Sequence, residues 1–214
     1  MVDVDTKQKF PLTLEFCYSV PMKLIVGLGN PGKEYDGTRH NIGWDAVTLA
    51  TEAVEATLFS KKAAFHAEVS EATIRGKKVL FARPLTFMNL SGNSVQTFKS
   101  FFKMDNADIL IVQDEMDFPV GTFKFSTGSG PAGHNGILSI QQSVGSRDIA
   151  RLRIGVGKPD RHIAREDYVL GKFSATEKKI MKSQAKNINK AVQDWITEGL
   201  TRTMNVWNGV ESAS

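Results

Sequence analysis

Short apolar runs and longer amphipathic stretches alternate along the chain, and each is closed by Gly, Asn or Pro. The run at 23–28 (KLIVGL) is too continuously apolar for a half-exposed element and predicts a buried strand. The most apolar run, ILIVQ at 109–113, predicts a strand in the middle of a sheet. Segments 67–74 and 77–83 predict a hairpin turning at Arg75-Gly76, 120–126 alternates like a strand, and 151–156 predicts one more. Between them, helical spacing predicts an element over about 41–56 with Ile42, Val47, Leu49 and Val54 inward. Another is expected from an N-cap at Ser91 to Lys103, carrying Val95, Phe98, Phe101 and Phe102. A third opens near His134 and continues through 138–144. In the last, about 175–197, Met181, Ala185, Ile188, Val192 and Trp195 recur at spacings of three and four, while Lys178, Lys182, Lys186 and Lys190 follow one another at four. This rhythm of strands and helices predicts an α/β fold.

Composition narrows the picture without redirecting it. A chain of 214 residues is long enough for one domain with a substantial core, and 41% hydrophobic with 23% charged residues argues against a disordered chain. With Cys17 as its single cysteine the chain has neither an intramolecular disulfide nor a cysteine metal cluster, which fits a reducing compartment. No apolar run approaches the ~18 residues that span a bilayer, so no membrane partner is expected. Residues 1–21 mix Asp3, Asp5 and Glu15 with Lys7 and Lys9 and lack the pattern of a targeting signal; they are read as an N-terminal extension to a single domain at 22–214. Lys and Arg exceed Asp and Glu by 27 to 23, and the pI of about 9.1 tilts the expected partners toward polyanions. The lysine row on the last helix reads equally as a solvated face and as a phosphate track.

Several standard chemistries lose support on inspection. Residues 27–32, GLGNPG, satisfy GxGxxG after a strand, but the Asn30-Pro31-Gly32 turn leads into 33–39 rather than into a helix, and Glu52 and Glu55 fall on the next helix. There is no GxSxG elbow, and His40, His66, His134 and His162 contain no HxxxH pair. Asp114, Glu115 and Asp117 suit magnesium or simple surface charge, and no metal is required.

What remains is a set of polar residues following different strands: Asn30, Met88-Asn89, Asp114 and His134-Asn135. In a parallel sheet the carboxyl ends share one edge, where ligands bind, so these residues are expected to meet. His40, at the start of the first helix, can face the same crevice. An unperturbed histidine titrates near ~6.5 and can take a proton from water at neutral pH. Asp114 is the candidate carboxylate to fix its tautomer. Three asparagines, each with a donor and an acceptor, suit holding a carbonyl, an amide and a water, although each alone reads equally as a turn residue. The glycine-rich segment 128–136 suits an anion or a flexible hairpin loop.

Taken in order, KLIVGLGNPGKEYDGTRHNIG (23–43), RPLTFMNLSG (83–92), DEMDFP (114–119), GHNG (133–136) and RLRIGVG (151–157) resemble the bacterial-type peptidyl-tRNA hydrolase family. The resemblance implies a twisted mixed, largely parallel sheet flanked by helices, and a cytoplasmic monomer needing neither metal, cofactor nor obligate protein partner. It implies cleavage of the ester joining a peptide to the 3′ ribose of tRNA. It places the catalytic histidine at His40 and its carboxylate at Asp114, and assigns substrate binding to Asn30, Tyr35, Met88, Asn89, His134 and Asn135. Arg153 matches a basic position associated with tRNA phosphate. Where many relatives carry Lys or Arg this chain has Ser126, and Pro131 interrupts the glycine-rich pattern, so Lys124 or Arg161 is expected to compensate. RNA-binding relatives in organellar splicing leave a non-hydrolytic role open, and GLGNPG leaves an oxidoreductase to be tested by cofactor binding.

Overall fold

A computed structural model of the chain describes residues 22–209. Its frame is a mixed seven-stranded sheet, ordered β2-β3-β4-β1-β5-β7-β6. Strands β1 (Met22–Gly27), β4 (Lys77–Pro84), β5 (Ile109–Glu115) and β7 (Ala150–Gly155) run parallel through its centre. The antiparallel strands β2 (Ser60–Lys62), β3 (Ala67–Ile74) and β6 (Phe123–Ser126) close its edges. The expected hairpin is present: Ile74 pairs with Lys77, and Arg75 and Gly76 both take positive φ, as a tight two-residue turn demands. All seven residues of β5 are buried, in line with its apolar sequence.

Alternation along the central strands sends side chains into two cores. Ile25, Phe81, Leu110, Val112, Leu152 and Ile154 face α1 (Ile42–Ala53), α5 (Ala175–Glu198) and α6 (Leu200–Trp207). Leu24, Val26, Leu80, Ile109 and Ile111 face α2 (Ser91–Phe102) and α3 (Asn135–Val144). Full burial of each such side chain contributes about 1.5–3 kcal/mol. Trp195 on α5 is wholly buried, while Lys178, Lys182, Lys186 and Lys190 of the same helix face solvent. The lysine row therefore lies on the layer opposite α3 and the glycine-rich segment before it.

Local details depart from the sequence expectation for identifiable reasons. Ser91 is the first residue of α2 rather than its cap: its hydroxyl donates to the Met88 carbonyl, and Leu90 holds the cap position. Leu49 and Phe101 lie on the outer sides of their helices, 41% and 68% exposed. Val120 precedes β6, because a turn through Gly121 (φ 84°) delays the strand to Phe123. The short, polar β2, the six-residue α4 (Arg165–Leu170) and α6 escape periodicity arguments, which need longer windows. Residues 1–21 lie outside the described residues.

The glycines of GLGNPG serve packing. A Cβ on Gly27 would fall 2.2 Å from the carbonyl oxygen of Gly43, and one on Gly29 would meet the Trp44 ring at 2.7 Å. The start of α1 therefore lies directly against the end of β1. That helix opens only at Ile42, after two 3-10 turns at Lys33–Tyr35 and Arg39–Asn41, so it offers no N-terminus to a pyrophosphate at the glycines.

Candidate active site

The carboxyl edge of the parallel strands carries the predicted residues, and the loops that follow fold them inward. Asn30 leaves β1 and is buried; its Oδ1 accepts the backbone N–H of Met88 at 2.7 Å, joining the β1 loop to the turn after β4. Asn41 was not anticipated. Its side-chain amide donates to the Asn30 carbonyl at 3.0 Å and its oxygen accepts the Asn30 N–H at 2.9 Å, which fixes the backbone of Asn30. With Oδ1 occupied, the NH2 of Asn30 is the group left for a ligand.

Asp114, near the end of β5, is 3% exposed and sits between two imidazoles. Its Oδ1 lies 2.8 Å from His40 Nδ1 and 3.0 Å from His134 Nε2. The network assigns the tautomers. His134 caps α3, and its Nδ1 accepts the N–H groups of Gly136 at 3.1 Å and Ile137 at 3.4 Å. That nitrogen must carry a lone pair, so the proton is on Nε2 and is donated to Asp114. Burial pushes the Asp114 carboxyl up, but its electrostatic attraction to His134 and His40 and the hydrogen bonds from both outweigh it and hold the group well below the usual carboxylate range. An ionised Asp114 can only accept, so His40 donates Nδ1–H and keeps the lone pair on Nε2. The cluster thus presents one oriented base.

The same three side chains are close enough to share a metal ion. A metal would need the lone pair of His134 Nε2, moving its proton to Nδ1, where two backbone N–H groups already point. The donor set favours protons over a cation. Glu115 and Asp117 take cationic side chains as partners, Glu115 pairing with Arg153 at 2.6 Å and Asp117 with Lys158 at 3.1 Å.

Clefts open on both sides of His40. One, of 530 Å³, is lined by Asn30, Met88, Asn89 and Asn135 together with Phe87, Leu90, Val169 and Leu170. The other, of 210 Å³, runs past Asp114, Glu115 and His134 to Gln113, Pro131–Gly133 and Arg165. Asn135 and Glu166 line both. The structure therefore gathers His40, Asp114, His134, Asn30, Met88, Asn89 and Asn135. Tyr35, in the first 3-10 turn, is outside the lining of either cleft.

Arg153 and Lys124 stand one side chain farther out, directly opposite each other across β6 and β7. Both approach the Phe118 ring, at 4.7 Å and 5.7 Å from its centre. Ser126 faces Arg151 in the same register, and its hydroxyl is buried without a partner. Arg151, also unanticipated, is 4% exposed and holds the glycine-rich segment by donating to the Gly130 carbonyl at 3.1 Å and the Ser129 carbonyl at 3.0 Å, with a further contact to the Ser129 hydroxyl. Neither arginine could be assigned its partners from spacing alone. Arg161 is exposed and lines neither cleft.

The family model for peptidyl-tRNA hydrolase matches residues 24–214. A peptidyl-tRNA hydrolase of Syntrophomonas wolfei is 41% identical over 187 residues, spanning 87% of this chain and all of that protein. One from Rickettsia bellii is 47% identical over 156 residues, 73% of this chain and 83% of that protein. Among solved structures, peptidyl-tRNA hydrolase from Acinetobacter baumannii superposes with a TM-score of 0.84 at 34% identity, covering 90% of this chain and 97% of that one. Futalosine hydrolase of Helicobacter pylori, at 9% identity and a TM-score of 0.52, shares the fold alone. With the family model matched over residues 24–214 and these relatives matched over 83% or more of their own length, the chain belongs to the peptidyl-tRNA hydrolase family.

Proposed function

We propose that this chain hydrolyses the ester between peptide and 3′ ribose in peptidyl-tRNA, with His40 as general base. The observation that carries the reading is the convergence on Asp114 of two imidazole N–H groups, that of His134, oriented by the Gly136 and Ile137 N–H groups, and that of His40, which leaves His40 Nε2 as the free acceptor. A water held beside it loses its proton to Nε2 as its oxygen bonds to the ester carbonyl carbon and the C=O π pair moves onto the carbonyl oxygen, to return when the ribose leaves. Asp114 stabilises the imidazolium formed. As the carbon–oxygen bond to the ribose breaks, the same proton passes from His40 to the departing ribose oxygen, and free tRNA and peptide result. The NH2 of Asn30, with Asn89 and Asn135, positions the carbonyl, the peptide amide and the water.

The apolar wall of the larger cleft suits peptide side chains. Phe87, Leu90 and Leu170 there are 55%, 48% and 42% exposed, an apolar surface that a bound peptide would cover. Arg153 and Lys124, adjacent on the sheet, take tRNA phosphate, Lys124 supplying the charge absent at Ser126. No helix of the described residues is long and apolar enough to cross a membrane. The reading carries with it a monomer acting in the cytoplasm through residues 22–214, with 1–21 an extension to that domain and no cofactor.

The test is turnover of a peptidyl-tRNA. His40→Ala, checked for native folding, should lose ~100- to 10,000-fold in rate, the usual worth of a general base. Retention of near wild-type turnover by this variant would overturn the reading.

A further inference from the structure

The residue before the base is tied to the wall of the peptide cleft more heavily than its place in a short turn requires. Arg39 opens the 3-10 turn Arg39–Asn41. Its backbone N–H donates to the Gly171 carbonyl at 3.0 Å. Its guanidinium donates through both Nη atoms, to the carbonyls of Tyr168 at 3.4 Å and Lys172 at 3.2 Å, and to both carboxylate oxygens of Glu177 at 3.0 Å. The same plane lies 4.3 Å from the Tyr168 ring centre and 5.4 Å from that of Phe173. Only 12% of the side chain reaches solvent. A Cβ on Gly171 would stand 3.1 Å from Nη1, so glycine there gives the guanidinium room. Glu177 completes a capping box with Ser174 and so belongs to the first turn of α5.

One side chain thus joins three elements: the turn bearing His40, helix α4 and the start of α5. Helix α4 is the part that matters for substrate, because Glu166, Val169 and Leu170 line the cleft beside His40. We propose that Arg39 is a positioning residue that sets the distance between the catalytic imidazole and the α4 wall. A guanidinium suits the place because one rigid plane carries two Nη donors, Nη2 holding both oxygens of the Glu177 carboxylate while Nη1 holds the backbone carbonyls, a span that a single ammonium nitrogen lacks. The inference rests on His40 as the base.

Three variants test it on the full chain, with initial rates normalised to folded protein. Arg39→Ala should lower kcat ~10- to 100-fold, the scale of a catalytic group displaced by an ångström or so. KM for peptidyl-tRNA should rise as the α4 wall loosens, while affinity for deacylated tRNA stays at the wild-type value. Arg39→Lys, which keeps charge without the fork, should recover only part of kcat. Glu177→Gln keeps the capping geometry but weakens the grip, and should fall between Arg39→Lys and wild type. If Arg39→Ala unfolds, the other two carry the test. Wild-type kcat in every folded variant overturns the proposal, as does a loss of thermal stability with unchanged kcat. His40→Ala runs alongside: if it is inactive while the Arg39 variants are normal, only this inference fails; if it is active, the reading of the base fails first.

Discussion

The trio gathered around buried Asp114 at the end of β5 and the basic corner on the neighbouring β7 and β6 are built on opposite terms. At Asp114, two histidine N–H groups converge on one carboxylate oxygen, and His134 is oriented in turn by backbone N–H groups. At β6–β7, Arg153 is already paired with Glu115, Lys124 is exposed, and the Ser126 hydroxyl is buried without a partner. The first region has its proton arrangement fixed by hydrogen bonds. The second keeps cationic charge at or near the surface, where a phosphate can compete for it. Chemistry needs preorganisation, whereas contact with a polyanion needs charge that can be recruited.

Substituting Asp114 breaks the first region most directly. Asp114→Asn should cost roughly 10- to 100-fold in turnover with the fold retained, less than loss of the base itself. Its stability should also report the carboxylate. Because the folded Asp114 is held below its ordinary value, its stabilising contribution is present above about pH 4 and disappears as pH falls through the folded value. The gap in unfolding free energy between wild type and Asp114→Asn should therefore close on acidification. Equal gaps at pH 6 and pH 3 would argue that the carboxylate is not charged in its pocket.

The basic corner should answer in salt dependence. Lys124→Ala should reduce the slope of log affinity for tRNA against log salt by about 1, the mark of one phosphate contact, while a small peptidyl ester is hydrolysed at the wild-type rate. An unchanged slope would remove Lys124 from the interface.

A smaller effect is expected at a third carboxylate, away from both regions. Asp45, on α1 beside the α1–α5 groove, is raised to about 6 by burial and then by Asp36, with Arg83 opposing. Its ionisation costs stability as pH rises through that value. Solvent on its outer side keeps the effect small. Asp45→Asn should melt slightly above wild type at pH 7.5 and level with it at pH 3.5; the reverse order would refute the burial argument.

Periodicity and residue type were enough to place the main strands, the long helices and the polar residues that close the strands. Strand alternation and helical spacing express burial directly, so 23–28, 109–113 and the apolar stripe of α5 were legible. The chemistry proposed for His40, Asp114 and the asparagines rests on residue type and on the family resemblance. Only the tertiary structure decided which atoms meet. His134 becomes an orienting donor because α3 starts on it, Asn41 becomes the clamp on Asn30 across the loop, and Arg39 reaches Glu177 across 138 positions of chain. Hydrogen bonds between distant residues leave no period in a sequence, because their partners are chosen by the packing of whole elements rather than by local spacing.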